Sequence, residues 1–374
     1  MSEHQHYEWQ TLDRPLTAAE RAAVSKLSSH IEVSATHAEV EYQWGDFKHD
    51  PIQVLARYFD AFQYYANWGA ERLAFRFPKH LLDADRVQCY LWADYAELQT
   101  VGDYFILSFA SPEEEPPEWD EQGDSLADLA MLRNDILQGD TRTFYLGWLL
   151  GAVANLYPDD DDDVAEAEPE PPVPPGLGQL SAALEAFIRF MRMDPFLVQA
   201  AAEASPPLTP KPAAALTGLI AQLPRAECDA FLQRLLQGEA NLQVQLRRRL
   251  QELSGASAQP LADAPRRTIS ALLARADELT KTATARAKAA AEVKRIQELQ
   301  AFAAQATRAW QTVEDEIGRK SASGYDNAVQ LLVKLRDLAV YQGELPLFKA
   351  RIATLVDRYK SQRSFVERVG KARL

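Results

Sequence analysis

Apolar side chains recur at every second position in several stretches of the first 110 residues, and after residue 176 they never do. Strands follow a period of two and helices one of 3.6, so this change divides the chain into a part with a sheet and a part without. Ala38, Val40, Tyr42 and Trp44 alternate with Glu39, Glu41 and Gln43, and Leu73, Phe75 and Phe77 alternate with Arg72, Ala74 and Arg76. Each pattern predicts a half-buried strand. Val87–Trp92 and Tyr104–Phe109 are more continuously apolar, as central strands are. Gly102-Asp103, between Tyr95–Val101 and Tyr104, marks a two-residue hairpin turn.

Helices interleave with these strands. Thr17 and Glu20 have capping-box spacing for a helix to about Ser28. Asp50-Pro51 reads as an N-cap followed by proline in the first turn. Leu55, Tyr58, Phe59 and Phe62 then follow at i, i+3, i+4 and i+7, with Gly69 as the stop. Two further helices run from about Ser125 to Gln138 and from Thr141 to Leu156, the second with a single stripe of Tyr145, Trp148, Leu149, Ala152 and Leu156. The expected fold class is an α+β N-terminal domain, with a mixed or antiparallel sheet and interleaved helices, followed by all-α segments.

The expected boundaries come from composition. Residues 1–158 form the α+β domain, and the acidic run PEEEPPEWDEQG within it is a surface loop. Asp159–Asp163 and the proline-rich run behind it make 159–176 a solvated spacer, because like charges repel and proline favours extended chain. Residues 177–254 read as a small helical bundle whose core includes Cys228, Phe231, Leu232, Leu235 and Leu236. A linker at 255–265 leads to 266–374, a long Ala-rich helix with a helical tail. The long helix suits an intramolecular hairpin and a coiled coil equally. Helices are expected at Tyr325–Tyr341, at Pro346–Tyr359 and near Phe365–Val369.

Charge is distributed unevenly. The whole chain carries 40 Lys and Arg against 54 Asp and Glu, a net charge of −14. Residues 265–374 hold 21 basic and 12 acidic side chains, so the C-terminal part is basic and the remainder strongly acidic. The longest uncharged apolar run, Phe144–Tyr157, is too short to span a bilayer. A cytoplasmic location is expected.

Familiar chemical signatures are missing: there is no GxxxxGK[ST], GxGxxG, HExxH, GxSxG or CxxC. Cys89 and Cys228 are too isolated for a disulfide framework. All six histidines fall within the first 80 residues. His37, Asp46, His49 and Asp50 are the candidates for a divalent metal, since imidazole and carboxylate are ordinary ligands. Asp50 has a competing role as a helix cap. The basic C-terminal helices carry the candidate interaction residues Arg266, Arg267, Lys294, Arg295, Trp310, Arg351 and Arg358. They suit an acidic partner surface, or this chain's own acidic region, better than a phosphate backbone, because acidic residues are interspersed among them.

YEWQTLDRPLT, LSSHIEVS, VEYQWGDFKHDP, RYFDAFQYYANWG and LAFRFP, between Tyr7 and Pro78, resemble an uncharacterised bacterial protein family. LRNDILQGDTRTFYLGWL, 132–149, is similar to the closing helices of the same group. WQTVEDEIGRKSASGYDNAVQLLVKLRDLA and the terminal RVGKARL resemble the helical C-terminal region of bacterial proteins carrying a SWIM-type zinc finger. That finger requires a Cys-x-Cys pair with a further Cys and His, which this chain lacks. The resemblance implies no zinc, no cofactor and no catalytic residue.

The functional expectation is a non-enzymatic interaction or scaffold protein that binds a protein partner or itself, with no membrane. Two alternatives stand beside it: a nucleic-acid-associated regulator using the basic C-terminal helices, and a metal-dependent hydrolase using Asp46, His49 and Asp50.

Overall fold

The computed structural model describes residues 3–111, 125–156, 169–208, 217–254 and 266–374. The chain divides into two compact units, Met1–Leu279 and Thr280–Leu374. No described helix is long and apolar enough to cross a membrane.

The first unit is built on a seven-stranded, fully antiparallel sheet. Its elements begin with β1 (Gln5–Gln10), α1 (Ala18–Val24), β2 (Glu32–Val33), β3 (His37–Tyr42), α2 (Pro51–Tyr58), β4 (Ala61–Ala66) and β5 (Glu71–Pro78). Then come α3 (Ala84–Val87), β6 (Ala96–Val101) and β7 (Tyr104–Ala110). The strand order is β2-β3-β1-β4-β5-β7-β6. The expected hairpin is present: Val101 pairs with Tyr104, and Gly102 has the positive φ (57°) that such a turn requires.

The predicted caps hold. Thr17 accepts from the Glu20 amide at 3.2 Å and the Glu20 carboxylate accepts from the Thr17 amide at 2.7 Å, although α1 stops at Val24 rather than Ser28. Asp50 accepts from the amide of Ile52 at 2.8 Å, with Pro51 opening α2.

Three local expectations are corrected. β1, which is not among the expected strands, lies in the middle of the sheet between β3 and β4. The helix after Asp50 ends at Tyr58 instead of Gly69, because Phe59 turns into extended conformation and AFQYYA, rich in aromatics, pairs as β4. Gly69 (φ 102°) then belongs to the β4–β5 turn. Val87–Trp92 is not a strand: Asp83 caps the short α3, accepting from the Arg86 amide at 3.3 Å, and a 3₁₀ turn at Gln88–Tyr90 follows. An apolar run without periodicity does not discriminate between these outcomes.

One sheet face carries Tyr7, Trp9, Ala38, Val40, Phe62, Ala74 and Ile106, closed by α1 and α2. The opposite face carries Leu73, Phe75, Phe77, Leu107 and Phe109 and is closed by α4 (Leu126–Leu129), α5 (Met131–Leu137), α6 (Arg142–Ala154), α7 (Ala182–Phe190) and α8 (Pro195–Ala202). The sequence predicts one apolar stripe on α6, yet its residues 142–149 are all buried. The helix approaches the sheet closely. A Cβ on Gly147 would collide with the Phe109 ring, and one on Gly151 would lie 2.8 Å from Trp92.

The acidic run 159–163 and the loop 112–123 lie outside the described residues. The described part of the expected spacer, 169–176, is packed rather than solvated. Tyr90 donates to the Pro172 carbonyl at 2.7 Å, Ser205 donates to the Pro174 carbonyl at 2.7 Å, and Glu170 is only 2% exposed. The chain continues directly into α7 and α8, which join the core of the sheet; Phe187 meets the Phe109 ring edge-on at 5.1 Å. The segment expected to form one small bundle is thereby split. Its first two helices belong to the sheet's core, whereas α9 (Arg225–Leu236) has no buried residue and α10 (Leu242–Leu253) buries only Val244 and Leu250.

α11 (Ile269–Ala303) buries Ile269, Leu272 and Ala276 in the first unit, while every residue from 284 to 295 is exposed. In the second unit, α12 (Ala306–Gly318), α13 (Ala322–Gln342), α14 (Leu345–Arg358) and α15 (Arg363–Lys371) enclose a core of Trp310, Val313, Ile317, Leu332, Phe348 and Phe365, among others. Ser321 caps α13 and Gly343 (φ 74°) ends it. These helices match the periodicity of the sequence, so the α+β domain followed by an all-helical region is the observed architecture.

Candidate functional site

The four metal candidates do not converge. Asp50 is occupied with its cap. Asp46 accepts from the Gln5 side chain at 2.8 Å, and His37 Nε2 lies 2.8 Å from Glu8 Oε1. Gln5 and Glu8 point to opposite faces of β1, so Asp46 and His37 are on opposite sides of the sheet. His49 packs its ring on Phe47 at 5.6 Å. Phe47 is itself buried against Tyr7 and Trp9, so WGDFKHDP closes over aromatics and leaves Trp44 70% exposed at its rim. Among the described residues no group of three His, Cys, Asp or Glu could hold a metal ion.

Arg267 has an intramolecular role. It makes an ion pair with buried Glu170 at 2.6 Å and donates to the carbonyls of Ala200 and Ala201. Tyr145 donates to the same carboxylate. Burial pushes the Tyr145 phenol up, and the Glu170 charge adds to this. The arrangement fastens the start of α11 and residues 169–172 to α6. Elsewhere, Arg295 pairs with Glu292 at 2.8 Å, Arg358 with Glu314 at 3.3 Å, and Arg351 lies over the buried Trp310 ring at 4.0 Å. Arg266 and Lys294 are exposed. Of the seven candidate interaction residues, Arg266 and Arg267 belong to the first unit and Lys294, Arg295, Trp310, Arg351 and Arg358 to the second.

A second buried charge cluster braces the sheet. Asp60, 1% exposed, accepts from the amides of Leu12 and Asp13 and pairs with Arg76 at 2.8 Å. Arg133 forks onto Asp13 at 2.8 and 2.9 Å and donates to the Arg76 carbonyl. Burial would raise Asp60, but Arg133 and Arg76 outweigh it and hold the carboxyl below its ordinary range. With every carboxylate paired, the cluster is a structural brace joining α5, β5 and the chain after β1.

Two features are left without a structural assignment. The first is the polar end of the sheet face that α4–α8 cover elsewhere. The register aligns His6 with Glu41 and Tyr65, and Glu8 with Glu39. His6 Nε2 is 3.8 Å from Glu8, His6 Nδ1 is 3.4 Å from Glu41, and the His6 ring stacks on Tyr65 at 4.8 Å. Burial would raise Glu8, yet its bond to His37 and the neighbouring His6 hold it near 2. The same bond raises His37.

The second is the outer face of α9. Cys228, Phe231, Leu232, Leu235 and Leu236 predict a bundle core, but Cys228 is half-buried and Leu232, Leu235 and Leu236 are 56%, 62% and 89% exposed. The reason is visible in α10, which spends its basic residues on both sides. Arg248 donates to the carbonyls of His80 and Leu81 and Arg247 to Gln138, tying α10 to the sheet unit. Arg249 forks onto Glu227 at 2.9 and 3.0 Å, holding α9 on α10's other side. The α9 stripe is legible in the sequence, but which element covers it is not.

Compared with known proteins, the chain matches no family model, no curated protein and no solved structure.

Proposed function

We propose that the chain is a non-enzymatic protein-interaction protein that docks a protein partner, or a second copy of itself, on the outer face of α9. The observation carrying this reading is the exposure of Leu232, Leu235 and Leu236 on a helix whose own residues bury nothing. Covering a leucine contributes about 1.5–3 kcal/mol, so three neighbouring ones supply a binding centre. Charged Arg225, Asp229 and Arg234 on the same helix provide a polar rim. A cytoplasmic setting fits the two free cysteines, Cys89 and Cys228.

Light scattering and affinity capture, run on the wild-type chain and on Leu235→Lys/Leu236→Lys, test this reading. The expected result is an increase in mass, or a retained partner, that the double substitution abolishes. A strict monomer that retains no partner contradicts it.

A second reading, nucleic-acid contact through the C-terminal helices, is supported by charge: residues 280–374 carry 18 Lys and Arg against 10 Asp and Glu. Pairing of Arg295 and Arg358 with Glu292 and Glu314 weighs against it. It requires the full chain to retain DNA or RNA at low salt, with affinity falling steeply as salt rises.

A further inference from the structure

Three buried polar atoms on this side of the sheet lack a hydrogen-bond partner: His6 Nδ1 and Gln10 Oε1, both on the same side of β1, and Glu71 Oε2 on β5. Buried polar atoms are almost always bonded, so such a pair on one strand face calls for an explanation. His6 Nδ1 is the more telling, because the residue is only 8% exposed and the atom stands 3.4 Å from a Glu41 oxygen. Neutral imidazole has one N–H; imidazolium has two. A second proton would give His6 donors toward both flanking carboxylates, Glu41 on β3 and Glu8 on its own strand.

We propose that this face is an acid-tightened clasp: the bond of His37 to Glu8 ties β3 to β1 while His37 is protonated, with the His6 imidazole set between Glu8 and Glu41 to add a second tie, and loss of charge from the face loosens the pair. Around the two imidazoles, β1 adds His4, whose Nε2 is 3.8 Å from Glu41. β3 adds Glu39 opposite Glu8, and β2 adds Glu32 opposite Glu39. β4 contributes Tyr65, which burial, then Glu41, Glu8 and Glu39, raise above its ordinary value. One strand farther, Glu71 pairs with Arg192 at 2.5 Å, and burial pushes this carboxyl up to about 7. Carboxylates outnumber imidazoles here, so charging the histidines lowers the excess of negative charge on the face without removing it.

The sign follows from the partners. His37 is raised above 6.5, so its contribution is complete below 6.5 and is lost as pH rises through the raised value. Glu8 is lowered from 4.5 to about 2, so its contribution is complete above 4.5 and is lost as pH falls toward 2. The clasp is therefore tightest between 4.5 and 6.5 and loosens toward alkaline pH.

Amide hydrogen exchange on the full chain, corrected for its intrinsic pH dependence, tests this. Going from about pH 7.5 to about pH 5.5 crosses the ordinary histidine range, and protection of the β1 and β3 amides should rise several-fold relative to the β6–β7 hairpin. Glu41→Gln, at an exposed position, and His37→Gln should each shrink that rise. Equal protection at both pH values, a rise matched by the β6–β7 amides, or a wild-type response in both variants overturns the proposal.

Discussion

Helices α6 and α9 are of nearly equal length, 13 and 12 residues, and both are rich in large apolar side chains. One is buried all round and the other buries nothing. α6 has a single charge, Arg142, and two glycines where Phe109 and Trp92 press in, so it fits between the sheet and the segment that returns at 169–202. α9 carries Arg225, Glu227, Asp229 and Arg234, so it offers one stripe only, and α10 touches a different side of it. The difference separates apolar surface that this fold buries from apolar surface that it leaves exposed.

The contrast predicts a graded set of effects. Trp148→Ala in α6 should cost the first unit about 3–5 kcal/mol in urea unfolding, as for other large-to-small core changes. Glu170→Ala should cost about 3 kcal/mol, because it strands Arg267 and removes the acceptor of Tyr145. Gly147→Ala should cost about 1–3 kcal/mol through its collision with Phe109. On α9, by contrast, Leu235→Ala and Leu236→Ala should each change stability by no more than ~0.5 kcal/mol while weakening association. A large stability loss from either leucine would erase the distinction between the two helices.

The sequence reveals elements where one face is apolar and the other polar. β3, β5 and the C-terminal helices follow from that, β7 from a continuous apolar run, and the Gly102 turn and the Asp50 cap from residue types suited to turns and caps. β1 has the same alternation, Tyr7 and Trp9 against His6, Glu8 and Gln10, but with only two large apolar positions it does not stand out, and β4 is hidden because Leu55, Tyr58, Phe59 and Phe62 imitate a helical period across a helix–strand junction. Residues 169–176 mislead in the opposite direction. Their proline and acid content reads as spacer, and only the folded chain shows Glu170 meeting Arg267 across 97 positions of sequence. The candidate surface was partly legible. The leucines of α9 were visible as a stripe, but burial depends on which neighbour arrives, and that neighbour is chosen by Arg247, Arg248 and Arg249 on α10.

The most direct test of the account is hydrogen exchange across residues 225–236 of the full chain, measured dilute and then concentrated or with a captured partner. The α9 amides should gain protection on association, and Leu235→Lys/Leu236→Lys should remove both the gain and the association. Association with unchanged α9 exchange, or association that survives the double substitution, contradicts it.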